Sequence, residues 1–325
     1  MIFKDEIMEK INLQRISIKA PALANNKLND KLQREICIYL PPSYHLEVNK
    51  HYPVVYLIHG FGGTAEGWFS DDLALHQISD QLINSADINE MIIVVPENGT
   101  TQTCSAYLDS PIQGNWQRFI CQDLVSAIEA KYRCKQGWQN RAIVGHSSGG
   151  DAVLKTLFLS PNIFKHGFAM SAPSIGMPSV NARYDTYKEN LASLQQANNG
   201  EISTTSLSVW AHTVLSCLQI SFPDENNAPL YCKFPLNEDD WKVLERGTHS
   251  ALYQAYKTNL QTVNLALDVG LKENFLEQTR GFVGQMQDDG FPVKLYEFDG
   301  GHVDHMAKSM PYVLTYISDC FSTAN

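Results

Sequence analysis

Between residues 141 and 150 the chain reads Arg141-Ala-Ile-Val-Gly-His-Ser-Ser-Gly-Gly150, and this stretch restricts the fold more than any other. Ala142, Ile143 and Val144 make a short apolar run that predicts a buried strand. From Ser148 onward, Ala152, Val153, Leu154, Leu157 and Phe158 recur with a helical period. Between them lies Gly145-His146-Ser147-Ser148-Gly149, a G-x-S-x-G pattern. A serine on a sharp strand-to-helix turn stands out at the end of a sheet, with the N-terminus of the following helix aimed at the reacting centre. The pattern alone recurs by chance, and a serine there also serves as an ordinary helix cap. Its context, a strand before and a helix after, favours a nucleophile.

The surrounding chain supplies the sheet that such a turn requires. Tyr52-Pro-Val-Val-Tyr-Leu-Ile-His-Gly60 and Met91-Ile-Ile-Val-Val-Pro96 are continuous apolar runs of the kind buried on both faces of a parallel sheet. Residues 10–20, with Ile11, Leu13, Ile16 and Ile18, and residues 34–40 alternate apolar with polar and read as an edge hairpin. Helical periods occupy 71–84 and the stretch from Trp116 to Tyr132. A further strand is expected over 167–171, another over 263–270 and a last one over 292–298. A helix with Phe275, Phe282 and Met286 separates the last two, and a helix over about 304–321 closes the chain. Alternating strands and helices predict an α/β fold, a mostly parallel central sheet flanked by helices. From about 175 to 260 the rhythm is lost, and the segment is expected to be an insertion within a single domain of residues 1–325, forming a cap over the site that limits the size of the substrate.

A serine nucleophile needs a general base, and the base needs a third group to fix its tautomer. Five histidines follow Ser147, and only His302 and His305 come after the last strand. His302 stands in a glycine turn, Asp299-Gly-Gly-His302, where a loop can bring it over the serine. His305 opens the final helix. For the acid, Asp268 lies inside the preceding strand and Glu273 just beyond it. A carboxylate past the strand's end can turn toward His302, which favours Glu273, with Asp268 as the alternative. Two backbone N–H groups should face the developing oxyanion. They are expected from Ser148 and from Phe61 in His59-Gly60-Phe61-Gly62-Gly63. This constellation calls for no cofactor and no metal.

Composition narrows the partners. A net charge of −10 without a basic block argues against nucleic acid and against an anionic membrane surface. Seven scattered cysteines, with no C-x-x-C pair, read as reduced thiols. The N-terminal residues lack the apolar core of a signal peptide. A cytoplasmic protein acting on a small molecule is therefore expected, with assembly into a homo-oligomer left open.

Several stretches resemble the esterase branch of the α/β-hydrolases, the group of esterase D (S-formylglutathione hydrolase), feruloyl esterases, enterochelin esterases and the antigen 85 mycolyltransferases. They include Leu40-Pro-Pro-Ser-Tyr44, the Tyr52–Gly60 strand, Ser105-Ala-Tyr-Leu-Asp-Ser-Pro111, Gly114-Asn-Trp116, Ile143-Val-Gly-His-Ser147, Pro161-Asn-Ile-Phe164, Leu267-Asp-Val-Gly270 and Gly300-Gly-His302. The resemblance implies an α/β-hydrolase fold and ester hydrolysis through an acyl-enzyme. It also places the acid three residues after Gly270, at Glu273, where aspartate is usual. Two departures stand out. The family's motif normally continues with methionine where this chain has Ser148, and Asp151 follows where Gly-Tyr or Tyr-Gly is usual. A carboxylesterase is the expected function. Its rivals are a thioesterase of the S-formylglutathione hydrolase type, an acyltransferase, and a binding protein on a hydrolase fold.

Overall fold

The computed structural model describes residues 12–176, 180–235 and 237–323. Residues 1–11, Ile11 among them, lie outside the described residues, as do 177–179 and 236 within the expected insertion. Eight strands form one sheet: β1 (Leu13–Lys19), β2 (Gln33–Tyr39), β3 (Val54–Ile58), β4 (Ile92–Pro96), β5 (Arg141–His146), β6 (His166–Met170), β7 (Asn264–Gly270) and β8 (Lys294–Phe298). Their spatial order is β1-β2-β4-β3-β5-β6-β7-β8. β1 and β2 pair antiparallel, and β2 runs antiparallel to β4. The remaining neighbours are parallel. The arrangement is the α/β-hydrolase fold. The hairpin thus differs from two edge strands: β1 alone is an edge, and β2 is enclosed between β1 and β4.

The apolar strands are explained by burial on both faces. Along β3, Val54, Tyr56 and Ile58 point into one core while Val55 and Leu57 point into the other. In β4, Ile92 and Val94 part from Ile93 and Val95 in the same way, as the two-residue period of a strand requires. On one side the sheet is covered by α1 (Leu75–Asn84) and, at the far end of the chain, by the helix Met306–Ser322. On the other side lies α2, whose parts Trp116–Arg118, Phe119–Leu124 and Val125–Lys131 run on as one helix with a π-wound middle. Beside it are α3 (Ser148–Leu159) and the helix Leu276–Asp288.

The region after β6 is more helical than its composition suggests. α4 (Val180–Asn198) includes most of the Asn- and Gln-rich stretch, and α5 (Val209–Ser221) begins on Ser208, whose hydroxyl accepts from the Ala211 amide at 3.1 Å. Tyr187, Leu194 and Ala197 of α4 pack on Ala211, Val214, Leu215 and Leu218 of α5, forming a core separate from the two that flank the sheet. Gln219 joins this unit to the loop after β4: its side chain donates to Gln102 Oε1 at 2.6 Å and accepts from Gln113 at 2.8 Å. A further helix, α6 (His249–Tyr256), is capped by Thr248 and leads back toward β7. The last two helices are α7 (Leu276–Asp288) and α8 (Met306–Ser322).

Candidate active site

Ser147 sits between β5 and α3 with φ 57° and ψ −124°, a conformation that costs a non-glycine residue energy and that the fold must impose. Its N–H donates to Met170 O of β6 at 2.9 Å, and its carbonyl accepts from the Asp151 amide at 3.0 Å. The flanking glycines are required by space. A Cβ at Gly145 would lie 2.3 Å from Gly149 O, and one at Gly149 would lie 2.1 Å from Ile58 O. The turn is therefore wedged against β3 with no room for a side chain on either flank.

His302 Nε2 lies 2.8 Å from Ser147 Oγ, and His302 Nδ1 lies 2.9 Å from Glu273 Oε1. The Glu273 side chain is 2% exposed and that of His302 37%. The other carboxylate oxygen, Oε2, accepts from the Gly270 amide at 3.2 Å. The loops that carry the two residues are pinned together, Leu271 N donating to Phe298 O at 2.9 Å and Lys272 N to Gly300 O at 3.1 Å. Asp304 Oδ1 accepts from the Gly301 amide at 2.8 Å and shapes the turn that presents His302. His305, the other histidine after β8, stacks on Phe298 with ring centroids 4.5 Å apart and belongs to the turn's packing.

Asp268, the alternative acid, binds elsewhere. Its Oδ1 accepts from the Ser171 amide at 2.8 Å and its Oδ2 from the Tyr312 hydroxyl at 2.7 Å, so it ties β7 to the end of β6 and to α8. Burial raises its carboxyl to about 7, against the opposing bonds from Tyr312 and Ser171 and with a further push from Glu273. A folded-state pKa above the usual 3.8 means that between those values the folded chain holds a proton the unfolded chain has released. Asp268 therefore contributes its full stability below about pH 4 and loses it as the pH rises through about 7. Asp268→Asn, which keeps the shape without the charge, is expected to gain stability relative to wild type between pH 4 and 8. At about 1.4 kcal/mol per pH unit the upper bound is about 4 kcal/mol. Urea unfolding of both proteins at the two pH values checks this, and a difference in stability that does not change with pH would contradict it.

Three supporting groups escaped the sequence reading. His146, the variable residue of the serine motif, is buried and donates from Nε2 to the His302 carbonyl at 2.7 Å, with the two rings 5.0 Å apart. Burial and the neighbouring His302 push its pKa down to about 4, so it is neutral at pH 7. Glu97, directly after β4, accepts from the Ala65 amide at 3.1 Å and the Gly99 amide at 3.2 Å. Burial works against its charge, but His59 and these amides prevail and hold it at about 2. His59 Nε2 lies 3.1 Å from Glu97 Oε1 and Nδ1 lies 2.9 Å from Gly60 O, so the ring joins Glu97 to the loop that carries Phe61. The position of Glu97 at the carboxyl end of a parallel strand, where such sheets gather their functional groups, was the available signal.

Ser147, Ser148, Phe61, Glu273 and His302 all line one cavity of about 580 Å³. The amide of Ser148 begins α3 and has no carbonyl of its own helix to bond. Phe61 faces the cavity from the loop after β3, its ring 5.7 Å from that of His212 in α5. Much of the remaining wall is apolar, with Leu108, Pro173, Phe275 and, from α5, Val209, Trp210, Val214 and Ile220. Six cysteines, Cys37, Cys121, Cys134, Cys217, Cys232 and Cys320, are free thiols. Among the described residues no helix is long and apolar enough to cross a membrane.

The sequence matches the family described as "Putative esterase" over residues 28–305. It is 23% identical over 273 residues to an esterase of Mycobacterium tuberculosis, a match that covers 82% of this chain and 52% of that protein. It is also 27% identical over 130 residues to an endo-1,4-beta-xylanase/feruloyl esterase of Xylanibacter ruminicola, covering 39% of this chain and 18% of that protein. The chain thus spans about half the length, or less, of these curated relatives. Among solved structures, a ferulic acid esterase superposes with a TM-score of 0.66 at 21% identity, covering 95% of this chain and 98% of the other. An S-formylglutathione hydrolase from Agrobacterium tumefaciens gives 0.59 at 14% identity, with 96% and 95% covered.

Proposed function

The chain belongs to the esterase family of α/β-hydrolases, and we propose that it hydrolyses carboxylic esters through a serine acyl-enzyme. The observation that carries this reading is the unbroken chain from Ser147 Oγ to His302 Nε2 at 2.8 Å and from His302 Nδ1 to Glu273 Oε1 at 2.9 Å, with the serine on a strained turn. Ser147 attacks the ester carbonyl while His302 Nε2 takes its proton. Glu273 accepts from Nδ1–H, which fixes the tautomer, and it stabilises the imidazolium as it forms. The amides of Phe61 and Ser148 bind the oxyanion of the tetrahedral intermediate. The intermediate collapses as His302 passes the proton to the departing alcohol. Water then enters, gives a proton to His302 and attacks the acyl group, and His302 returns that proton to Ser147 Oγ as the C–O bond breaks and the acid leaves.

The segment from about 175 to 260 acts in this reading as a cap. Val209, Trp210, Val214 and Ile220 supply one wall of the cavity, and they limit what fits beside the serine.

Parallel turnover of p-nitrophenyl esters and of S-acylglutathiones, with products identified in the presence of added alcohol, tests the reaction class. The proposal expects oxygen esters to be cleaved with water as the acceptor. Turnover confined to S-acylglutathiones would make the protein a thioesterase, and an ester of the added alcohol as the main product would make it an acyltransferase.

A further inference from the structure

The peptide between Gly60 and Phe61 stands against the nucleophile: a Cβ on Gly60 would lie 2.9 Å from Ser147 Cβ and 3.1 Å from His146 O. The peptide is trans, so its C=O and its N–H point in opposite directions within one plane. The N–H belongs to Phe61, which lines the cavity, and among the described residues it meets no acceptor of the protein. The C=O is gripped from two sides. Gly60 O accepts from the Gly63 amide at 3.0 Å and lies 2.9 Å from His59 Nδ1. A carbonyl oxygen only accepts, so Nδ1 carries the proton of that contact.

Behind the ring stands a carboxylate that does not line the cavity. Glu97 Oε1 lies 3.1 Å from His59 Nε2, and the Asn98 amide lies 2.9 Å from the same nitrogen. Oε1 also accepts from the Gly99 amide at 3.2 Å, and Oε2 accepts from the Ala65 amide at 3.1 Å. One side chain thus holds both ends of the loop from Gly60 to Ala65, the start through the His59 ring and the end directly. The loop has little means of holding itself. Gly60, Gly62 and Gly63 leave its backbone free to turn, and Gly62 already stands at φ 69°. A turn of the 60–61 peptide about its own axis would swing the Phe61 N–H away from Ser147, and an oxyanion donor helps only when it is aimed before the charge forms. Fixing Gly60 O fixes the opposite end of the same plane.

On the reading of the site as a serine esterase, we infer that Glu97 is a positioning residue: from outside the cavity, through His59 and the Ala65 amide, it aims the Phe61 N–H at the oxyanion. The Glu97–His59 pair then does for the oxyanion what Glu273–His302 does for the serine, with the difference that neither Glu97 nor His59 touches the substrate.

The test compares p-nitrophenyl butyrate with its thionoester, O-(4-nitrophenyl) thionobutyrate, in which sulfur replaces the carbonyl oxygen. Sulfur is larger and accepts hydrogen bonds weakly, so the ratio of the two kcat/KM values reports how well the amides meet an oxygen anion. Glu97→Ala is expected to lower kcat for the oxygen ester by about 10–10²-fold, less than the loss of an oxyanion donor outright. The thionoester should lose far less, so that the ratio falls by about tenfold. A merely structural role would slow both substrates alike. Glu97→Gln, which keeps an acceptor at the same length, should recover part of the rate and part of the ratio. The inference is overturned if folded Glu97→Ala keeps the wild-type ratio, or if wild type prefers the oxygen ester no more than hydroxide does. Should Glu97→Ala not fold, Glu97→Gln decides: a ratio below that of wild type supports the role, and a wild-type ratio overturns it. Ester hydrolysis that Ser147→Ala abolishes, together with an unchanged ratio in the Glu97 variants, sinks this inference alone, whereas no ester hydrolysis by wild type sinks the esterase reading itself.

Discussion

Ser147→Ala is expected to lower kcat for ester hydrolysis by about 10⁴-fold or more while leaving the protein folded. The size follows from the proposed chemistry. Without Oγ there is no atom to carry the acyl group, and His302 Nε2, 2.8 Å away, has lost the proton donor it faces. What survives is the polarising effect of the Phe61 and Ser148 amides on a bound ester, which helps water only modestly. Alanine also leaves the strained turn in place, and the glycines that wedge it against β3 are untouched. Binding of the ester itself should change little, because the cavity keeps its walls. Steady-state kinetics with a p-nitrophenyl ester, together with a thermal unfolding curve, provide the check. More than a tenth of the wild-type rate in a folded variant is incompatible with a serine mechanism.

Glu273→Gln is expected to cost roughly 10²–10⁴ in kcat. The carboxylate does two things that an amide does not. It accepts the Nδ1 proton, so that Nε2 is left free to act as base, and its charge stabilises the imidazolium in a site where its own side chain is shielded from water. A glutamine that turns its NH₂ toward His302 favours the opposite tautomer, with the proton on the wrong nitrogen. Asp268→Asn supplies the contrast. Asp268 holds the Ser171 amide and the Tyr312 hydroxyl, contacts that concern the seating of β7 on β6 and α8. It should change stability and its pH dependence far more than kcat. The opposite result, with Asp268→Asn folded and inactive and Glu273→Gln nearly normal, would make Asp268 the acid.

How much of this could be read from the chain depended on whether a role is local. The turn at Ser147 is local, since an apolar strand, two glycines and a helical period announce it within about 18 residues. His302 could be singled out because a loop after the last strand of a parallel sheet opens at the same end as the serine. Asp268 and Glu273 were separated by the two-residue period of a strand, which points Asp268 at one face of the sheet. The region after β6 was less legible. Tyr187, Leu194 and Ala197 keep a helical spacing, but the Asn and Gln residues between them hid it, and the helix is stabilised by packing on α5 rather than by its composition. His146, Glu97, Lys155 and His249 carried no local signal of their contacts, because each acts on a segment distant in sequence: the His302 carbonyl, the Ala65 amide, the Ala106 carbonyl and the Asp151 carboxylate.

The most direct test of the central claim is to acid-quench the reaction with a p-nitrophenyl ester and map the acyl group by peptide mass. A good leaving group makes breakdown of the acyl-enzyme slow relative to its formation, so the intermediate accumulates. The account predicts a mass increase of one acyl group on the peptide containing Ser147, absent from Ser147→Ala. Rapid turnover with no acylated peptide, or with the acyl group on another residue, would contradict it.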